Sequence, residues 1–101
     1  LWHTVLDDKD SYEETSGSAA ILYGILKGIR QGVLGEEYKE TAEKGIGGIL
    51  RNIREDGTVM NVSAGTPVGR SKKHYKDIVI APMAYGQSLC MMALTEALQA
   101  E

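Results

Sequence analysis

The sequence predicts an all-α fold, part of a two-layer ring (a partial α/α toroid) in which inner and outer helices are taken in turn. Two observations lead there. The stretches from about Thr15 to Val33 and from about Met83 to the end are apolar on nearly every side of a helix. The stretch between them, from about Glu36 to Ile53, carries one apolar stripe and a charged back. A helix that is apolar all round requires burial on several sides, whereas a one-sided helix has solvent behind it. The order enclosed, one-sided, enclosed is what alternating layers of helices produce.

The first helix opens at "YEETSGSAA", Tyr12 to Ala20, where Glu14 or the Thr15–Ser18 run supplies capping oxygens and acidic charge favourable at a helix start. Ala19, Ala20, Ile21, Leu22, Tyr23, Ile25, Leu26 and Ile29 then cover its circumference. Gly35 separates it from the second helix. There Tyr38, Ala42, Ile46, Ile49, Leu50 and Ile53 recur at spacings of three and four. Gly45, Gly47 and Gly48 each cost about 1 kcal/mol of helix propensity against Ala; close packing against a neighbouring helix is the compensation expected of them. Pro82 fits just before the first turn of the third helix, which is lined by Leu89, Cys90, Met91, Met92, Ala93, Leu94, Ala97 and Leu98.

The long loop between the second and third helices covers about thirty residues. It holds a turn at Asp56-Gly57, a short β-prone run from Thr58 to Val62, and then "RSKKHYKDIVIAP", basic first and β-branched afterwards. Connections this long in a small domain are functional or disordered, and the aromatic and β-branched content here favours order.

Composition excludes several classes of function. The chain has 101 residues, enough for one small domain segment, and a net charge of −3. That balance gives no reason to expect nucleic acid, which needs a basic face. The apolar runs are too short and too interrupted by Gly to span a bilayer. A single cysteine, Cys90, precludes an internal disulfide and suits a reducing compartment, so a cytoplasmic location is expected. No leader with a cleavage site signals export. The chain begins at Leu1 and not at Met, the look of a piece of a longer protein.

Trp2 and His3 are the most suggestive pair. An indole face is a flat apolar platform for the C–H groups of a sugar ring, and the adjacent imidazole donates or accepts a hydrogen bond. The plainer reading makes Trp2 a core anchor and His3 a cap or surface residue. Asp7, Asp8, Asp10, Glu13 and Glu14 form an acidic cluster; such runs before a helix serve the helix dipole and solvent more often than acid–base chemistry. No His/Cys spacing suits a metal, and Cys90, inside an apolar helix, is a poor nucleophile. "GIGGIL" lies within a helix and lacks the flanking strand and Lys-Ser/Thr of a phosphate loop. The methionines read as core filler. Arg70, Lys72, Lys73, His74 and Lys76 form a local basic patch that is either solvated or, facing a cleft, able to neutralise a uronate carboxylate.

Taken together, "LWHTVLDDKDSYEETSGSAAILYGILKGIRQGVLGEEY", followed by "DGTV", "SAGTPVG" and a final "YGQ" helix in that order, resembles the C-terminal part of glycoside hydrolase family 105. These are the unsaturated rhamnogalacturonyl hydrolases, related to the unsaturated glucuronyl hydrolases of family 88. The resemblance covers nearly the whole chain. It implies a six-hairpin α/α barrel, of which residues 1–101 would be one C-terminal segment. It implies hydration of the C4=C5 double bond of unsaturated uronate-terminated oligosaccharides from pectin, with no metal or other cofactor. It also implies that Trp2, Ser16 and Ser18, together with His3 and Tyr75, border the substrate. The family's acid/base aspartate lies on an earlier helix outside this chain, so no catalytic residue is expected here and the chain alone should be inactive. Gln87 stands where many members carry Asp or His near that Gly, and is expected to make a different polar contact. The competing class is a non-enzymatic helical module that binds sugar or protein. Self-association through the apolar helix faces is a further expectation.

Overall fold

The computed structural model describes residues 1–99. Four helices, α1 (Thr15–Arg30), α2 (Lys39–Arg51), α3 (Lys72–Lys76) and α4 (Ala84–Gln99), follow one another with a single 3-10 turn, Glu36–Tyr38, before α2. α1 is the central element: it packs on α4 most extensively and on α2 next, while α2 and α4 touch little. The result is a flat slab of 39 × 31 × 20 Å.

The three long helices stand where the apolar pattern puts them, with shifted ends. α1 stops at Arg30 and not at Val33, because Gly32 adopts a left-handed backbone (φ +75°). The amides of Val33 and Leu34 then turn back to the Gly28 carbonyl at 2.9 and 3.0 Å. The second helix opens with the tighter 3-10 turn over Glu36–Tyr38 and becomes α-helical only from Lys39. It ends at Arg51, with Asn52 Nδ2 donating to the Gly48 carbonyl at 2.8 Å. Ile53 leaves the helix to bridge Val59. The expected end of the third helix reaches residues 100–101, which lie outside the described residues.

The long connection is ordered by turns and bridges. Gly57 is left-handed (φ +88°) and closes the expected turn, with its amide on the Arg54 carbonyl at 2.8 Å and the Asp56 carboxylate accepting from the Thr58 amide at 2.9 Å. The β-prone run makes one isolated bridge, Val59 to Ile53, and Ser63 just beyond it makes another to Ile80. Asn61 explains why: its φ of 60° interrupts the extended backbone, and its carbonyl is spent on the Thr15 amide at 2.9 Å. The basic stretch holds the short helix α3, capped by Ser71, which the apolar periodicity did not signal.

Ala19, Leu22, Ile49, Val59, Val62, Cys90 and Ala93 form the core. Burial pushes the Cys90 thiol up to about 11, which removes it as a nucleophile at neutral pH. Where α4 meets the far end of α1, Arg30 grips the buried Glu96 through two parallel bonds, Nη2 to Oε1 at 2.8 Å and Nε to Oε2 at 3.0 Å. A buried carboxylate needs such a partner, and the Arg30 hydrogen bonds hold this one below its ordinary value. Outside the shared core, α1 and α4 leave Ile21, Met91 and Leu98 exposed at 41%, 67% and 69%. The all-round apolar pattern of both helices therefore has unsatisfied faces within this chain.

Two of the three α2 glycines are close-approach positions. A Cβ on Gly45 would sit 2.7 Å from Leu22 Cδ1 and 3.0 Å from its Cγ, and one on Gly48 would sit 2.9 Å from Leu1 Cδ2. Gly47 has nothing nearer than Arg51 Nη1 at 3.5 Å and is not such a position. Leu22 is fully buried and cannot move aside. Gly45→Ala is therefore expected to destabilise the protein by about 1–3 kcal/mol despite its better helix propensity. Gly47→Ala should be neutral or stabilising. Urea denaturation of both variants checks this.

Candidate functional site

The N-terminal segment folds back on itself before α1 begins. His3 bridges Glu13, the Thr4 amide bonds the Tyr12 carbonyl at 2.8 Å, and the Glu14 amide bonds the Trp2 carbonyl at 3.0 Å. Inside this loop Ser11 is buried, and its hydroxyl donates to the Asp8 carbonyl at 2.6 Å while accepting from the Val5 amide at 3.2 Å. His3 Nδ1 lies 2.6 Å from the Ser11 carbonyl. A carbonyl only accepts, so Nδ1 carries the hydrogen; in the neutral ring Nε2 is then the acceptor.

α1 starts at the end of this segment, capped by Glu14. One Glu14 oxygen accepts from the Gly17 amide at 2.6 Å and the other from the Ser63 amide at 2.6 Å, and the Ser16 hydroxyl donates to the pair at 2.8 and 3.0 Å. With both oxygens committed in this way, Glu14 is a helix cap and a brace between α1 and the long connection. The Ser18 hydroxyl is buried and accepts from the Trp2 amide at 2.9 Å, which fixes the Trp2 backbone against α1.

These interactions bring Trp2, His3, Ser16 and Ser18 to one open hollow of about 460 Å³, at the N-terminal end of α1. Its other side comes from the long connection and α4: Ser63, Gly65, Thr66 and Tyr85. Tyr75 is not among them. It borders a separate depression with Thr4, Val5 and residues 69–72, and its hydroxyl accepts from the Gly69 amide at 2.9 Å. Gln87 also points elsewhere: its side chain accepts from the Val59 amide at 2.5 Å and donates to the Gly57 carbonyl at 3.0 Å, tying α4 to the turn.

Sequence reasoning did not single out Tyr85 or Ser63. The Tyr85 hydroxyl donates to the Ser63 carbonyl and accepts from the Gly65 amide at 2.9 Å, and Tyr12 and Ser63 share a hydrogen bond of 2.6 Å. The available signal was an aromatic residue in the first turn of a helix entered by a proline, "APMAYGQ". Its partners lie 20 residues or more away in sequence, so nothing local revealed the pairing.

Chemically, the hollow offers the aromatic side chains of Trp2 and Tyr85, an imidazole and hydroxyls held by neighbouring groups. That set suits a small polar ring with an apolar face, the description of a saccharide. Among the described residues no group of three or more His, Cys, Asp or Glu side chains could hold a metal ion. No described helix is long and apolar enough to cross a membrane.

Comparison with known proteins gives the same direction. Over 100 residues the chain is 37% identical to the unsaturated rhamnogalacturonyl hydrolase YesR of Bacillus subtilis, covering 98% of this chain and 27% of that protein. It superposes with a TM-score of 0.96 and 42% identity on the crystal structure of a possible member of the GH105 family from Salmonella enterica serovar Paratyphi A, over 99% of this chain and 26% of the other. With a family 105 glycoside hydrolase of C. acetobutylicum the TM-score is 0.86 at 28% identity, over 98% of this chain and 32% of the other. The chain thus spans about a quarter to a third of the length of these relatives, and its helices form a segment of an α/α barrel. The family model described as Glycosyl Hydrolase Family 88 matches residues 1–101, the whole chain, and the protein belongs to that family.

Proposed function

We propose that the longer protein to which this chain corresponds is an unsaturated uronyl hydrolase of the rhamnogalacturonyl type. It would act on short pectin-derived oligosaccharides that end in a uronate with a C4=C5 double bond. The observation that carries the reading is the hollow itself, where Trp2, His3 and Ser16 meet at the opening of α1 within a chain of this family.

In the proposed reaction the vinyl ether of the terminal uronate is hydrated. A proton adds to C4 and a water oxygen to C5, and the resulting hemiketal opens and collapses to release the remaining saccharide. The proton donor and water-activating carboxyl belong to a helix outside this chain. The residues here bind and orient. The Trp2 indole supports the ring's C–H face, and the Ser18 hydroxyl anchors the Trp2 backbone amide. The Ser16 hydroxyl, already donating to Glu14, has lone pairs left to accept from a substrate hydroxyl. His3, with Nδ1–H engaged, presents an acceptor in its neutral form. A reducing, cytoplasmic setting fits the single buried thiol of Cys90.

Trp2→Ala in the longer enzyme is expected to lower kcat/KM for an unsaturated disaccharide by about five- to tenfold, the size of a lost ring contact of about 1–1.5 kcal/mol. Ser18→Ala should act in the same direction through the displaced indole, with a smaller effect. Unchanged kinetics in both would make the hollow a structural feature only. The purified 101-residue chain is expected to be catalytically silent, so the absorbance of the substrate's double bond should persist in its presence. The same chain should self-associate through the open faces of α1 and α4. Sedimentation would then show species heavier than a monomer at high concentration, and a strictly monomeric profile would refute that association.

A further inference from the structure

The two loop walls of the hollow are joined on one flank by charge. The first wall, Trp2 to Leu6, runs directly into Asp7 and Asp8; the second, Ser63 to Thr66, runs by way of Gly69 into α3. Lys76 Nζ lies 3.0 Å from Asp8 Oδ2, and Lys72 Nζ lies 3.1 Å from Asp7 Oδ1. The two lysines are four residues apart, on one face of α3, and meet two adjacent aspartates on the facing loop. The Asp8–Lys76 pair is the more sheltered, with side chains 21% and 32% exposed against 76% and 62% for Asp7 and Lys72.

We propose that Asp8 with Lys76, reinforced by Asp7 with Lys72, forms an ionic latch that holds together the outer ends of the two loop walls, beyond their junction at Glu14 and Ser63, and thereby tunes the fit of the saccharide. The proposal rests on the hydrolase reading above for its substrate. None of the four residues lines the hollow except through its neighbours, so they are positioning residues. Three features of the surroundings make the latch effective. The first wall is rigid, since Ser11 locks its loop by bonds to Val5 and Asp8. Asp8 also caps its own turn, accepting from the Asp10 amide at 2.9 Å, so its carboxylate is held in place before the lysine arrives. The second wall is an irregular segment held at its base by the Ala64 amide on the Val79 carbonyl at 2.8 Å and by the bonds of Ser63 and Gly65 to Glu14, Tyr12 and Tyr85, which leaves its outer part, from Thr66 onward, to the latch. Its far side meets α3 where the Gly69 amide donates to the Tyr75 hydroxyl at 2.9 Å and His74 Nε2 lies 3.1 Å from the Pro67 carbonyl, and α3 is a helix of five residues, too short to be stable without tertiary contacts. Isolated surface ion pairs contribute little to global stability, but a short local segment is the place where a small energy decides position. The hydrogen bond between them holds Asp8 below its ordinary value and raises Lys76, consistent with a formed pair.

The test uses the full-length enzyme with Lys76→Met, Asp8→Asn, the double variant, the conservative Lys76→Arg, and Lys73→Met as control. Lys73 pairs with Asp77 at the C-terminal cap of α3 and not with the facing loop. Amide hydrogen exchange over residues 64–79 reads the latch independently of turnover, and KM and kcat for an unsaturated disaccharide read its consequence. The expected result is faster exchange and a KM raised about three- to fivefold in each single variant, the size of one ion pair, with kcat within about twofold. The double variant should be no worse than either single variant, and Lys76→Arg and Lys73→Met should match the parent. Unchanged exchange in Lys76→Met and Asp8→Asn overturns the latch. Faster exchange with unchanged KM overturns its role in fitting the saccharide. If the parent enzyme leaves the disaccharide intact, the hydrolase reading falls with the substrate role, and the exchange arm alone decides whether the latch exists.

Discussion

The carboxylate of Glu14 is the constraint on which the site depends. It caps α1 through Gly17, receives the Ser16 hydroxyl, and reaches 49 residues along the chain to the Ser63 amide. Its own amide holds the Trp2 carbonyl. One side chain and its backbone therefore join the N-terminal segment, the first turn of α1 and the long connection, the three sources of the hollow's walls. A carboxylate that accepts from several protein donors is held more firmly than a neutral cap, because charge-assisted bonds are the stronger ones. An acidic residue lining a hollow invites a catalytic reading, and here the geometry gives it a scaffolding role.

Around that junction the structure is organised by close approach. α1 comes near enough to α2 for Leu22 to lie against a bare backbone at Gly45, and Val62 approaches α4 at Gly86, where an added Cβ would stand 2.7 Å from Val62 Cγ2. The glycines that weaken each helix locally permit the packing that stabilises it globally, the usual resolution of propensity against tertiary burial. At the opposite end of α1 the Arg30–Glu96 pair performs a different task, making a buried charge on α4 acceptable. α1 is thus fixed at both ends by polar contacts and along its length by apolar ones.

The apolar pattern of α1 and α4 is only partly used within the chain: Ile21, Met91 and Leu98 stay exposed on these helices. The chain spans about a quarter to a third of the length of its relatives.

Much of the fold and part of the site were legible in the residues. Helical periodicity located all three long helices, the Asp56-Gly57 turn was readable from its dipeptide, and the capping chemistry of Glu14 was visible in "YEETSGSAA". These are local properties, set within one or two turns of chain. Helix ends were less legible, because Gly32 and the Glu36–Tyr38 turn depend on how the chain folds back onto its neighbours. The short helix α3 lay beyond reach for a similar reason: five charged and aromatic residues have no periodicity to read, and Lys72 and Lys76 find Asp7 and Asp8 only after folding. The grouping of Trp2, His3, Ser16 and Ser18 around one hollow, the exclusion of Tyr75 and Gln87 from it, and the entry of Tyr85 and Ser63 were decided by tertiary structure alone. By itself the sequence determined which segments are helical and which faces seek burial, since those follow from short-range spacing. Which side chains share a site is a matter of distances between residues far apart in the chain, and only the packed structure sets those.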